Sequence, residues 1–427
     1  MSEKINLPSH DFCTGCMACV AGCPRHAISI IKNEYGEEFP EIDEVQCVQC
    51  GKCLKACHLN KSFFPDKRSE NVYAAWSTDS NIRQKSASGG IAATLYRFAL
   101  QNKFHAFGVK LNENHEAVYF ELTCQEDIEV CQNSKYVFSQ MRDTYRRVET
   151  YLKAGEKVLY VGLPCHIAGV RSYLGKDYES LILVDLVCHG TCSAQFLKEH
   201  VHCIEERKKQ KINAISFRDP QYGTNSFIFT LRNQEKIIYA VPVDYIDAYQ
   251  IGYHRALIYR ENCYHCRYAR AERISDLTIS DFSGLGRLQE WDKERKSVSC
   301  VITSTEKGRM LLGSLVKDGK IESYRRPSDE AYQYEKQLRG PSVPNVHRKE
   351  FLQRYFEGTG FDQAVQQVCK REIRRNFVAH TLRIKEMIVM LRKIMPKKVK
   401  ATIKKELKHF QKTGEKTYEK DKQFINK

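Results

Sequence analysis

The spacing of apolar and polar positions changes character along the chain. Through residue 62 the apolar runs are short and broken by cysteines, and SIIKNEYGEEFPEID, with its Glu-Tyr-Gly turn signal, predicts a hairpin between two cysteine-bearing turns. From about Asn71, apolar runs alternate with helical stretches: VYAAW at 72–76, a helix from Ile91 to Gln101, AFGVKL, KVLYVGL at 157–163, a helical turn over His166 to Tyr173, and SLILVDLV at 180–187. Apolar strands separated by helices predict a largely parallel sheet covered on both faces. The runs INAISF, FIFTLR and KIIYAVPV, with turn signals at Asp219-Pro220 and Tyr222-Gly223, predict an antiparallel insert. After Gly340-Pro341 and Pro344 the chain becomes helical and charged. Ile373, Phe377, His380, Ile384, Met387, Ile388, Leu391 and Ile394 form one stripe, predicting a long amphipathic helix over Arg371 to Met395.

Composition narrows the class. A chain of 427 residues with 42% hydrophobic, 11% aromatic and 28% charged residues is an ordinary globular one of two or three domains. No uncharged apolar run reaches the about 18 residues a membrane span needs, and MSEKINLPSHDF has no apolar signal region, so a cytoplasmic location is expected. The net charge of +16 is concentrated at the end: from Arg371 onward 18 Lys and Arg face 6 Asp and Glu, leaving +4 on the first 370 residues. That basic stretch suits the inner face of an anionic membrane or a half-buried position on the body. Nucleic-acid binding is not expected, since no base-reading module or aromatic interleaving accompanies the lysines.

Eighteen cysteines in a reducing compartment point to metal before disulfides. Cys13, Cys16 and Cys19 with Cys23, then Cys47, Cys50 and Cys53 with Cys57, repeat C-x2-C-x2-C-x3-C. Three thiolates at steps of three reach three irons of one cubane, and the fourth comes from the other repeat, as in two-cluster ferredoxins. Cys13, Cys16, Cys19 and Cys57 are therefore expected to hold one [4Fe–4S] cluster and Cys47, Cys50, Cys53 and Cys23 the other. A pair of zinc sites would need only two C-x2-C pairs each and leaves the triplets unexplained. His58 stands where the pattern usually has Pro.

Cys165 and Cys188 follow two strands, and Cys263 and Cys266 form a C-x2-C. Strand ends line the ligand crevice of an open α/β sheet, so these four thiols are candidates for a third cluster, against two buried free cysteines plus a zinc or unligated pair. Cys124, Cys131, Cys192, Cys203, Cys300 and Cys369 read as buried small hydrophobes. Ser86-Ala87-Ser88-Gly89-Gly90 opens a helix and reads either as a plain N-cap or as a phosphate cradle. No G-x-G-x-x-G follows a predicted strand and no Walker A sequence occurs.

The dicluster motif, SASGG, SKYVFS at 134–139, GLPCHIAGVRSYLG at 162–175, DLVCHG at 185–190 and CYHCRYARAERISDLTISDFSG at 263–284, in this order, resemble the family of coenzyme F420 hydrogenase/dehydrogenase beta subunits. The resemblance spans about residues 10–340. It implies a flavoprotein carrying FAD and iron–sulfur clusters that passes electrons between coenzyme F420, ferredoxin or another substrate and the flavin. Chlorophyll-pathway reductases belong to the same broad family, and members are common in surface-polysaccharide gene clusters.

Carried over, the resemblance makes Ser88, Gly89 and Gly90 FAD-phosphate contacts, places Lys135 and Tyr136 near the cofactor, and favours Cys165, Cys188, Cys263 and Cys266 as ligands of a cluster near the flavin. Two departures stand out. Ser280-Asp281-Phe282-Ser283-Gly284 replaces the usual Gly-Asp-Phe-Trp-Gly, altering the pocket for a second ring system, and Pro164-Cys165-His166 replaces Pro-Cys-Gln.

The expected fold class is α/β (α+β mixed): a two-cluster ferredoxin module over residues 1–62, a mixed-sheet flavin domain over 63–340 and a basic helical region over 341–427. The expected activity is that of an iron–sulfur flavoprotein oxidoreductase, its donor ferredoxin or reduced coenzyme F420, its substrate a small molecule or sugar. His189 and Asp281 are the candidate proton donors or orienters beside the flavin. The alternative is a non-catalytic electron-transfer subunit of a larger complex.

Overall fold

The computed structural model describes residues 5–382. One unit spans Met1–Cys369 and a second Lys370–Lys427. The described part of the second is a helix, Lys370–Thr381, with no buried residue. The rest of the expected amphipathic stretch lies outside the described residues, among which no helix is long and apolar enough to cross a membrane.

The expected hairpin forms from β1 (Ile28–Lys32) and β2 (Glu38–Ile42), with Ile28 opposite Ile42. Short helices Ala18–Ala21 and Lys52–Ala56 flank it in a duplicated arrangement and carry Cys19 and Cys53. The body's strands are β3 (Val72–Ser77), β4 (His105–Leu111), β5 (Ala117–Leu122), β6 (Ser139–Gln140), β7 (Val158–Gly162), β8 (Leu181–Leu186), β9 (Ala214–Ser216), β10 (Ile228–Asn233), β11 (Lys236–Pro242), β12 (Leu277–Asp281), β13 (Ser299–Thr303) and β14 (Ile321–Arg326).

Nine of these form one sheet in the order β14-β3-β13-β12-β8-β7-β4-β5-β6, and β11-β10-β9 form the expected antiparallel insert. The large sheet is mixed rather than largely parallel. β4, β7, β8 and β12 run parallel in its centre, whereas β14, β3 and β13 form an antiparallel flank and β4 pairs antiparallel with β5. The link from β4 to β5 explains the last pairing, because residues 112–116 are too few for a crossover.

Both faces of the sheet are covered. Helices Ile91–Gln101 and Glu306–Lys317 pack on one, through Leu95, Leu311 and Leu315. Helices Thr144–Lys153 and Pro164–Leu174 pack on the other, where Cys16 and Ala18 of the N-terminal module join the same core. The module is thus seated directly on the sheet. Beyond residue 340, helices Arg348–Arg354 and Phe361–Val368 bury Phe351 and Phe361 against Phe196, at ring separations of 5.8 and 5.2 Å.

Candidate redox centre

The N-terminal repeats wind their thiols by alternating backbone handedness. Gly15 (φ +68°) and Met17 (φ +61°) flank Cys16, and Gln49 (φ +51°) and Gly51 (φ +69°) flank Cys50, all in the left-handed region. Such alternation turns successive amides toward one point and forms the anion nest common at iron–sulfur sites. Cys13, Cys16, Cys19 and Cys57 lie within electrostatic reach of one another. Burial pushes each of these thiols up, and mutual repulsion raises them further: Cys57 acts on Cys13 and Cys19, and Cys16 acts on Cys57. Cys23, Cys47, Cys50 and Cys53 line a single small cavity, with Cys50 exposed at its edge.

His58 is 1% exposed. Its Nε2 is 2.9 Å from Thr14 Oγ1 and its Nδ1 2.5 Å from Tyr268 OH, so it joins the first repeat to the body.

A third group of four thiols forms in the body. β7, β8 and β12 are adjacent and parallel, and their C-terminal ends deliver Cys165, Cys188 and Asp281 to one edge of the sheet. Helix Glu261–Tyr264 and the turn after it bring Cys263 and Cys266. Burial pushes the Cys165 thiol far up, with Cys266, Cys188 and Cys263 raising it further; Cys263 is pushed up to about 11 by burial and then Cys266. A buried ion pair holds the pieces in place. Arg273 Nη2 donates to Asp185 Oδ2 at 2.6 Å, and its Nη1 donates to the Tyr268 carbonyl at 2.7 Å, tying β8 to the Cys266 turn. Among the described residues no three His, Cys, Asp or Glu side chains close around a single metal ion. A cubane draws its four thiolates from farther apart, onto separate irons.

The three groups lie in series. Cys19 and Cys53 share one apolar cluster, linking the two N-terminal groups. Cys16 acts electrostatically on Cys165, and a Cβ added at Gly169 would lie 3.3 Å from Cys16 Sγ and 2.4 Å from Tyr145 OH. Only a glycine lets helix Pro164–Leu174 approach the first group so closely.

Past Cys188 the path meets a packed aromatic and basic cluster. Cys188 acts on Tyr253, which stacks on Tyr136 at 4.7 Å and 23°. Phe217 and His254 meet the Tyr136 ring edge to face at 5.4 and 5.2 Å. Arg218, 3% exposed, donates from Nη1 to Asp281 Oδ2 at 2.8 Å and sits 4.0 Å from the Phe227 ring. Burial, then His189, Arg255 and Arg218, lower His254 to about 4, so it is neutral at pH 7.

Hydrogen bonds tie distant candidate segments to this cluster: Gln132 Nε2 to Ser86 Oγ at 3.1 Å, and Asn133 Nδ2 to the Arg218 carbonyl at 2.5 Å. Ser88 Oγ donates to the Val298 carbonyl and Gly89 N–H to Ser299 Oγ, while Gly90 (φ +81°) caps helix Ile91–Gln101. Lys135 is lowered to about 8 by burial, and its ammonium donates to the carbonyls of Cys131, Gln132 and Asn133. His189 is half-exposed, with Nε2 3.8 Å from Glu335 Oε1.

Arg218, Tyr253 and His254 carried no sequence signal. Of the six cysteines expected as buried hydrophobes, Cys192, Cys300 and Cys369 are buried and Cys131 and Cys203 partly so, but Cys124 is exposed. It sits in a turn after β5 where the Asp127 carboxylate accepts from its amide at 3.2 Å.

The chain is similar to known proteins in three segments. Residues 12–60 match a 4Fe-4S dicluster domain. Residues 72–144 and 155–328 match the N-terminal and C-terminal models of the coenzyme F420 hydrogenase/dehydrogenase beta subunit. An F(420)H(2) dehydrogenase subunit of Methanosarcina mazei is 24% identical over 281 residues, covering 62% of this chain and 75% of that protein. A chain from a structure described as a xenon derivatization of the F420-reducing [NiFe] hydrogenase complex from Methanosarcina barkeri aligns at 18% identity with a TM-score of 0.40, covering 67% of this chain and 99% of that one.

Proposed function

The chain belongs to the family of coenzyme F420 hydrogenase/dehydrogenase beta subunits, and from that premise we propose an iron–sulfur flavoprotein oxidoreductase that moves electrons between ferredoxin or reduced coenzyme F420 and a substrate. The observation that carries the reading is the serial placement of three thiol quartets, the last of them beside the aromatic cluster of Tyr136, Tyr253 and Phe217 with Arg218. The residues suit FAD by their chemistry: aromatic side chains for an isoalloxazine ring, with the buried Arg218–Asp281 pair beside them. A bound flavin exchanges electrons in pairs as hydride and singly with a cubane, which joins the two kinds of transfer in one chain. Asp281, held by Arg218, orients the ring or its substrate, and His189 exchanges a proton with the substrate. A role in surface-polysaccharide synthesis and a cytoplasmic location, with the basic end at the inner face of a membrane, complete the proposal.

Anaerobic reconstitution followed by iron and flavin analysis tests the reading: about 12 irons and one FAD per chain are expected for three cubanes. The flavin should then bleach with reduced coenzyme F420 or reduced ferredoxin. About 8 irons without flavin would instead make the chain an electron-transfer subunit serving a partner that holds the substrate.

The port for a protein donor is placed at the second group. Cys50 is exposed, and Val48 beside it is 58% exposed. Cys23 of the same group also lines a cleft of about 750 Å³ with Lys52, Lys55, Lys61 and Arg146 and one acid, Glu149. A positive cleft at a cluster edge attracts an acidic one-electron carrier. The double substitution Lys52→Glu with Lys55→Glu should slow reduction by an acidic ferredoxin about tenfold or more at low ionic strength, an effect that salt erases, and leave reduction by dithionite unchanged. Equal rates with ferredoxin in both proteins would place the port elsewhere.

A further inference from the structure

Arg260 is among the largest fully buried side chains, at 1% exposure, and it lacks a close counter-charge. Its ion pair, Nη1 to Glu37 Oε2, is 3.9 Å long, and its hydrogen bonds to Asn262 Oδ1 and the Glu38 carbonyl, at 3.4 and 3.5 Å, are at the limit of useful geometry. Glu37 is a weak partner. Burial pushes its carboxyl up, Arg260 and Arg348 pull it back, and its Oε1 accepts no hydrogen bond.

The guanidinium instead lies between aromatic faces, 4.4 Å from the Phe138 ring and 5.0 Å from that of Phe39. A cation buried with so little compensation is costly unless charge of the opposite sign arrives from elsewhere.

That charge has two sources in reach. A Cβ added at Gly15 would lie 2.8 Å from Arg260 Nη2, so the guanidinium rests on the loop between Cys13 and Cys16, which only a glycine at φ +68° can offer. Arg260 also caps the helix that carries Cys263, three residues on. Its carbonyl accepts from the Cys263 amide at 3.0 Å, so the residue whose guanidinium lies on the Cys13–Cys16 loop is hydrogen-bonded to a ligand of the third quartet.

We propose that Arg260 is the shared buried counter-cation of the first and third clusters and holds both at potentials high enough to pass electrons toward the Tyr136–Tyr253 cluster. The inference rests on the three-cluster reading. A four-thiolate cubane carries about −2 and gains a further negative charge on reduction, so a fixed cation nearby favours the reduced form of both. The second group sits apart from Arg260, in a cavity whose walls include Pro24, Arg25, Ile28, Ile42 and Val48 around its own four cysteines.

The test is a redox titration of the reconstituted full chain followed by electron paramagnetic resonance, comparing wild type with Arg260→Gln and Arg260→Lys. In Arg260→Gln two of the three clusters should become about tenfold harder to reduce relative to a fixed mediator, equivalent to about 59 mV for one electron, while the third serves as internal control. Arg260→Lys, which keeps the charge, should stay near wild type. Unmoved potentials in an Arg260→Gln chain with full iron content overturn the inference and leave the three-cluster reading standing, whereas a wild-type chain with only two clusters removes that reading itself. If Arg260→Gln takes up no iron, Glu37→Gln at pH 8 decides. Stripping the opposing carboxylate should make the same two clusters easier to reduce, and no change overturns the proposal.

Discussion

Replacing Cys165 with Ala is expected to lower bound iron from about 12 to about 8 per chain after anaerobic reconstitution, with the N-terminal clusters retained. The cause is electrostatic. Burial drives the Cys165 thiol far above its ordinary range, and Cys266, Cys188 and Cys263 drive it further, because four thiolates in one buried place repel each other. Without a metal centre the quartet stays protonated; with one, assembly releases protons, so loading of this site should weaken as pH falls. A site that depends on four ligands at one sheet edge does not survive the loss of one delivered at a sharp strand-to-helix turn. Cys300 supplies the control, since it is buried yet belongs to none of the three groups. Cys300→Ala should keep all its iron. An unchanged iron count in Cys165→Ala would mean that the body's four thiols hold no cluster.

What could be read from the chain follows from how local each signal is. The eight N-terminal ligands declare themselves because a cubane needs thiols at steps of three, a spacing written in contiguous residues. Cys165 and Cys188 are legible one step further off, as residues just past apolar strands, since parallel neighbours deliver both to one edge. Strand direction is not legible. VYAAW and SCVIT are as apolar as the central strands, yet β3 and β13 run antiparallel, and nothing in an apolar run records which way its neighbour points. Arg218 and Arg260 are the hardest cases. A lone arginine reads as surface by default, and what buries each is a partner far away in sequence: Asp281 lies 63 residues from Arg218, and Phe138 and Phe39 precede Arg260 by more than a hundred. The residues proposed to tune and line the redox path are therefore those the sequence conceals.

The largest expected loss of stability belongs to His200. It is 1% exposed on helix Ala194–Lys208, with Nε2 3.0 Å from Asp247 Oδ2 and Nδ1 3.0 Å from Asp362 Oδ2. Asp247 caps the helix that carries Tyr253 and His254, Asp362 sits on helix Phe361–Val368, and Tyr239 OH donates to Asp247 Oδ2 at 2.9 Å. One imidazolium therefore ties the late helices to the helix that carries Tyr253 and His254. Burial alone would lower His200, but Asp247 and Asp362 outweigh it and raise the imidazole to about 10; burial raises Asp247 and His200 outweighs that, leaving its carboxyl below the usual range. The raised imidazole stabilises the fold fully below its unfolded value of about 6.5 and loses that contribution as pH climbs through about 10, while the depressed carboxyl contributes above about 3.9 and fades as acid protonates it. Together they favour a stability maximum between about pH 4 and 6.5. His200→Leu leaves two buried carboxylates without a cation, which should cost about 3–5 kcal/mol. For a chain of this size that is a fall in Tm on the order of 3–6 °C, read by circular dichroism on the reconstituted protein at pH 6.5. The gap between wild type and His200→Leu should narrow steadily as pH rises toward 10. A gap that stays constant across that range would mean the imidazole is neutral in the folded chain and the triad is held by hydrogen bonds alone.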